Sequence, residues 1–128
     1  MNLFKNIFGS NESESNNTRV GWRPLTDMGQ LNEIINESTE KPVIIFKHST
    51  RCGISRMTLK QFENEYDLDD LVTPYFLDLL ENRDVSNEIA KRFGIEHQSP
   101  QLILIKSGKP VYDASHGDIF VDDLKRYI

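Results

Sequence analysis

Val43-Ile44-Ile45-Phe46-Lys47-His48-Ser49-Thr50-Arg51-Cys52-Gly53-Ile54-Ser55-Arg56 is the stretch on which the reading of this chain turns. Its first four residues form an unbroken β-branched and aromatic run, the pattern of a strand covered on both faces. From Cys52 onward Ile54, Met57 (or Leu59) and Phe62 recur near helical spacing, with Lys60, Glu63 and Glu65 between them. A central strand therefore gives way to a helix, and Cys52 stands at the junction. It is the only cysteine in the 128 residues.

A helix start favours a reactive thiol, because its exposed N–H groups and dipole stabilise a thiolate. Lys47, His48, Arg51 and Arg56 add positive charge to the surroundings. The competing reading is a buried structural cysteine, and the polar neighbours on both sides argue against it. Ser55 occupies the place where a dithiol redox protein carries its second cysteine. It reads either as a hydrogen-bond donor to the thiolate or as a plain first-turn serine. His48, four residues before the cysteine, is the histidine best placed to tune the thiol. One cysteine can attack a mixed disulfide but cannot resolve the product within the chain, so a second thiol must come from solution.

Outward from this stretch, Val20-Gly21-Trp22-Arg23-Pro24-Leu25 reads as a short strand. Thr26 or Asp27 then caps a helix through Met28, Leu31, Ile34 and Ile35 that Lys41-Pro42 ends. On the other side, residues 73–80 return to strand character. Asp84 or Ser86 caps a helix through Ile89, Ala90 and Phe93 that stops at Gly94. Residues 101–105 and 111–113 flank a short Gly-containing connection and predict a β-hairpin. Asp118 or Asp122 caps a last helix with Phe120, Val121, Leu124 and Ile128. The order β-α-β-α-β-α-β-β-α defines an α/β fold with a central mixed β-sheet flanked by helices. Residues 20–128 form one domain. Residues 1–19 read as a flexible N-terminal tail, in which Leu3, Phe4, Ile7 and Phe8 would share one face of a short membrane-touching or self-docking helix.

With 38% hydrophobic and 27% charged residues, the chain has the balance of a soluble globular domain. The net charge of −5 argues against nucleic-acid binding, which rests on basic groups meeting phosphates. A single cysteine excludes an internal disulfide and points to a reducing compartment, the cytoplasm. No apolar run approaches the roughly 20 residues of a transmembrane segment. His48, His97 and His116 are spaced unlike any zinc signature, so no metal site is expected. Taken by itself, Ser99-Pro100 reads as a loop proline with an ordinary trans bond, cis forms being about 5% of such bonds. Gly117-Asp118 puts a flexible residue at a helix start, where backbone N–H groups hold a carboxylate of a peptide-like thiol cofactor or Asp118 simply caps.

With these residues in place, the chain resembles the thioredoxin-like superfamily over residues 20–128. The run from Phe46 to Ser55, together with Gln98-Ser99-Pro100-Gln101, resembles more narrowly the monothiol bacilliredoxins, the bacillithiol-system family with a Cys-Pro-Ile-Ser type motif. The resemblance implies a monothiol disulfide oxidoreductase that removes bacillithiol from S-thiolated client proteins through Cys52. It implies a low-molecular-weight thiol as co-substrate, no tightly bound cofactor, a monomer, and a cis Ser99-Pro100 bond beside the active site. Catalytic roles fall on Cys52 and Ser55, support on His48, Arg51, Gly53, Ile54 and Arg56, and thiol binding on Ser99, Pro100, Gly117 and Asp118. Gly53 departs from the motif's proline. It brings the motif near the Cys-Gly-Phe-Ser of monothiol glutaredoxins, which carry an iron–sulfur cluster, with Ile54 in place of phenylalanine. Cluster carriage through Cys52 is the second reading, and a non-catalytic adaptor of the same fold the third.

Overall fold

The computed structural model describes residues 20–128, so the expectations for the tail over residues 1–19 fall outside the described residues. Among the described residues five strands, β1 (Arg23–Pro24), β2 (Val43–His48), β3 (Thr73–Asp78), β4 (Gln101–Lys106) and β5 (Lys109–Ser115), alternate with four helices. These are α1 (Gly29–Glu37), α2 (Gly53–Glu65), α3 (Arg83–Phe93) and α4 (Val121–Leu124), with a 3-10 turn at His116–Asp118 before α4. The sheet order is β1-β3-β2-β4-β5. β1 and β2 run parallel to β3, while β4 is antiparallel to both β2 and β5. The mixed sheet and the element order are those expected.

All six residues of β2 are buried, as a central strand with both faces covered requires. Strand side chains alternate between faces. Ile44 and Phe46 therefore enter one core with Phe62 of α2, Leu102 and Leu104 of β4, and Leu124 of α4. Val43 and Ile45 enter the other with Leu31 and Ile34 of α1, Ile89 of α3, and Ile103 and Ile105 of β4. Each such fully buried side chain contributes about 1.5–3 kcal/mol over its exposed state. Trp22 adds an aromatic layer, with its ring 5.9 Å from Phe46, 6.1 Å from Phe62 and 5.6 Å from Phe76.

Several boundaries differ from the sequence reading. β1 shrinks to two residues because Pro24 lacks the N–H a longer ladder needs, although Leu25 N–H still donates to Phe76 O at 2.8 Å. Neither Thr26 nor Asp27 caps α1 by its side chain. Instead Gln30 Oε1 accepts both of their N–H groups, at 2.8 and 3.0 Å, and the helix starts after Met28. α3 begins after Asn82, so Ser86 lies buried inside it, and Gly94 ends it in the left-handed conformation at φ 65°. α4 follows Phe120, which is partly exposed rather than in the core; Asp118 belongs to the preceding 3-10 turn. The hairpin turns through Ser107 and Gly108, both at positive φ. It docks on the end of α1, where Gly108 N–H donates to Ser38 Oγ at 2.7 Å.

The largest correction concerns α2. Ile54 and Met57 do not face the core but stand 59% and 74% exposed. The buried stripe is Ser55, Thr58 and Phe62, with Leu59 packed alongside.

Candidate functional site

Cys52 is the residue immediately before α2, in extended conformation at φ −106° and ψ 119°. The first helical hydrogen bond, Arg56 N–H to Cys52 O at 3.1 Å, fixes it at that place. A helix start leaves its first N–H groups without intrahelical partners, and the half-buried thiol sits at that end. The loop before it is tied down, because Cys52 N–H donates to Ser49 O at 3.2 Å and Arg56 Nη1 donates to Thr50 O at 3.1 Å. Arg51 is exposed on this loop. At Gly53 an added Cβ would find only Arg56 Nη2, at 4.0 Å, so no steric demand dictates glycine.

Ser55 turns inward and is fully buried. Its Oγ lies 2.7 Å from His48 Nδ1 and accepts the Ser49 N–H at 3.1 Å. His48, the last residue of β2, is 5% exposed, with its ring centroid 5.5 Å from that of Phe76. Burial holds its pKa below the ordinary histidine value, Asp78 on the neighbouring strand opposes this, and Arg56 reinforces it. His48 also lines a cleft of about 470 Å³ with Arg56, Met57, Leu59, Lys60 and Glu63.

Lys47 is not part of this cluster. One residue before His48, it points to the other side of the sheet, where it is fully buried. Its Nζ lies 2.8 Å from His97 Nδ1 and donates to Gln101 Oε1 at 2.9 Å. Burial pushes its pKa down to about 8. When Lys47 is an ammonium it can only donate, and His97 Nδ1 is then the acceptor. Burial, Lys47 and Arg83 all hold the His97 pKa low. Gln101 Nε2 in turn donates to Glu96 O at 3.0 Å, tying down the segment before Ser99-Pro100.

The Ser99-Pro100 peptide is cis, the form that family resemblance implies rather than the residue-level expectation. Pro100 is buried, and Ser99 Oγ is buried without a hydrogen-bond partner among the described residues. Pro100 O accepts the His116 N–H at 3.0 Å. That bond places the proline loop against the turn carrying Gly117 and Asp118, both exposed, and α2 packs on the same turn. Three segments far apart in sequence thus meet at one end of the sheet. Among the described residues no cluster of three or more His, Cys, Asp or Glu side chains is placed to hold a metal ion. Sequence reasoning missed Ser49 N–H, Asp78 and the cleft. Only Asp78 carried a signal, as the acidic end of a strand pairing with β2.

A thiol opening a helix and a cis-proline loop on a mixed sheet of this order are the arrangement of thioredoxin-fold thiol–disulfide oxidoreductases, and this fold and site fall in that class. Solved structures agree. A thioredoxin-fold protein presented as an oxidoreductase is 34% identical, with a TM-score of 0.70, covering 80% of this chain and 89% of its own. Thioredoxins from Malassezia sympodialis (20% identical, TM-score 0.66, 85% and 89% covered) and Fasciola hepatica (21%, 0.63, 81% and 93%) share the fold. Within the class, the chain belongs to the monothiol bacilliredoxin family, whose model, described as monothiol bacilliredoxin BrxC, matches residues 23–124.

Proposed function

We propose that this protein removes bacillithiol from mixed disulfides on client proteins. The observation that carries the reading is a single thiol at the start of α2 with a buried serine, not a second sulfur, three residues on. Cys52 as thiolate attacks the bacillithiol sulfur. A new S–S bond joins Cys52 to bacillithiol, the client S–S bond breaks, and the client sulfur leaves as a thiolate that takes a proton from water. A second low-molecular-weight thiol then attacks the bacillithiol sulfur and releases Cys52. The cis Ser99-Pro100 segment and the Gly117-Asp118 turn border the incoming cap, Arg51 and Arg56 supply positive charge, and exposed Ile54 meets the client. Bacillithiol is a co-substrate rather than a resident group, and the protein acts as a monomer in the cytoplasm. No helix among the described residues is long and apolar enough to cross a membrane.

The test is a client protein capped with bacillithiol or with glutathione, with cap release followed by mass spectrometry. Wild type releases bacillithiol faster than glutathione and carries it transiently on Cys52, and Ser55→Ala slows release. Cys52→Ala abolishes it. Undiminished release by Cys52→Ala overturns the reading, and equal rates for both caps overturn the choice of thiol.

A further inference from the structure

Lys47 is fully buried, and its hydrogen-bond partners among the described residues are all neutral side chains. No carboxylate of the described residues makes an ion pair with it. Moving an ammonium out of water costs several kcal/mol even after the surroundings adapt, and a hydrocarbon side chain of similar volume commonly replaces a buried ion at no loss of stability. The rest of this face of β2 and β4, Val43, Ile45, Ile103 and Ile105, is hydrocarbon already. Methionine would therefore pack here, but it could not donate hydrogen bonds.

Those bonds all lead to one segment. With a pKa of about 8 the amine is charged at pH 7, and it donates to His97 Nδ1 at 2.8 Å and to Gln101 Oε1 at 2.9 Å. Gln101 Nε2 carries the connection on to Glu96 O at 3.0 Å. Ser86 Oγ of α3, itself buried, stands 3.3 Å from the same histidine nitrogen. Both ends of the stretch from Glu96 to Gln101 are thus fastened to one amine, with Gln98, Ser99 and Pro100 between them. Ser99 Oγ makes no hydrogen bond among the described residues, so its side chain adds no tether of its own. Lys47 pairs with Gln101 in antiparallel register, so the chain leading from β2 to Cys52 and the segment entering β4 lie at the same end of the sheet.

We propose that Lys47 is a positioning residue for the mixed disulfide: its ammonium clamps the segment from Glu96 to Gln101 so that Gln98 and Ser99 meet the incoming substrate in one geometry. The clamp acts on binding through this segment and not on the thiol, because Lys47 and His48 serve opposite sides of the sheet and only His48 touches Ser55. The inference rests on a mixed disulfide being the substrate, but not on which thiol caps it.

Lys47→Met in the full chain tests it at pH 7. NMR order parameters at Gln98 and Ser99 fall from about 0.85 to below about 0.6. Hydrogen exchange of the His116 N–H, held by Pro100 O at 3.0 Å, quickens about tenfold, the scale of one lost hydrogen bond to a charged group. In cap release from a client protein, KM rises about tenfold while kcat changes less than about twofold, the pattern of lost binding rather than lost chemistry. Alkylation of Cys52 by iodoacetamide keeps its wild-type rate, which a general loosening of the site would not allow. His97 is exposed, so His97→Ala keeps the fold and decides the matter if Lys47→Met does not fold. His97→Ala raises KM, and His97→Asn, whose Oδ1 offers an acceptor in place of Nδ1, restores it. Unchanged order and exchange in a folded variant, a wild-type KM, or alkylation slowed in step with kcat overturns the clamp. Loosening of Gln98 and Ser99 in Lys47→Met, beside a wild type that releases neither bacillithiol nor glutathione, keeps the clamp and overturns the substrate reading.

Discussion

Gly53 occupies the first position of α2, where proline is ordinarily favoured because its missing N–H is not needed and its φ is already helical. Both conditions are met here. Cys52 has extended dihedrals of the kind a residue before proline adopts, and the space around an added Cβ is open. Glycine thus costs the folded state entropy without giving a contact in return. Gly53→Pro is expected to stabilise the protein by about 0.4–1 kcal/mol, read as a raised urea midpoint at constant slope. A lowered midpoint would mean that α2 needs a looser first turn than its dihedrals show.

Along α2, the apolar letters misled the sequence reading while the period was right. The side chains that meet the sheet are Ser55, Thr58 and Phe62, and Ser55 is polar because it meets His48 rather than hydrocarbon. Ile54→Ser and Met57→Ser should each move stability by less than about 0.5 kcal/mol, as exposed positions do. Phe62→Ala should cost about 3–5 kcal/mol. Denaturant unfolding of the three variants checks the contrast, and a large loss at Ile54 or Met57 would contradict the burial pattern. Other elements were legible for physical reasons: β2 from its unbroken apolar run, the α3 terminus from Gly94, and the hairpin from Gly108. The start of α1 was not, since Gln30 replaces its expected cap. At the site, Cys52 and its helix start were visible in the local pattern. The meeting of Ser99-Pro100 with Gly117-Asp118 depends on a hydrogen bond between His116 and Pro100 that no local pattern encodes.

For the whole molecule, the buried amine of Lys47 links folding to pH. Its pKa is about 8 when folded against 10.5 for an ordinary lysine. Below pH 8 both states hold the proton, so the penalty of burying the ammonium is present in full. Between pH 8 and 10.5 the unfolded chain binds more protons than the folded one, and stability rises with pH. Above pH 10 Tyr66 opposes the trend, because its pKa is pushed up to about 12 and the folded state then keeps a proton that the unfolded chain loses. From pH 8 to 10 wild type should gain about 2 kcal/mol relative to Lys47→Met. Urea midpoints across that range check it, and parallel curves for the two proteins would refute it.

The alternation of β2 gives its length a further meaning. His48 and Lys47 are neighbours in sequence but serve opposite sides of the sheet, one against Ser55 and one against Gln101. The strand therefore sets a phase, and the loop to Cys52 is counted from it. Inserting one residue within Val43–His48 would carry the ammonium to the place of the imidazole beside Ser55, whereas deleting one would carry the imidazole to the place of the ammonium beside Gln101.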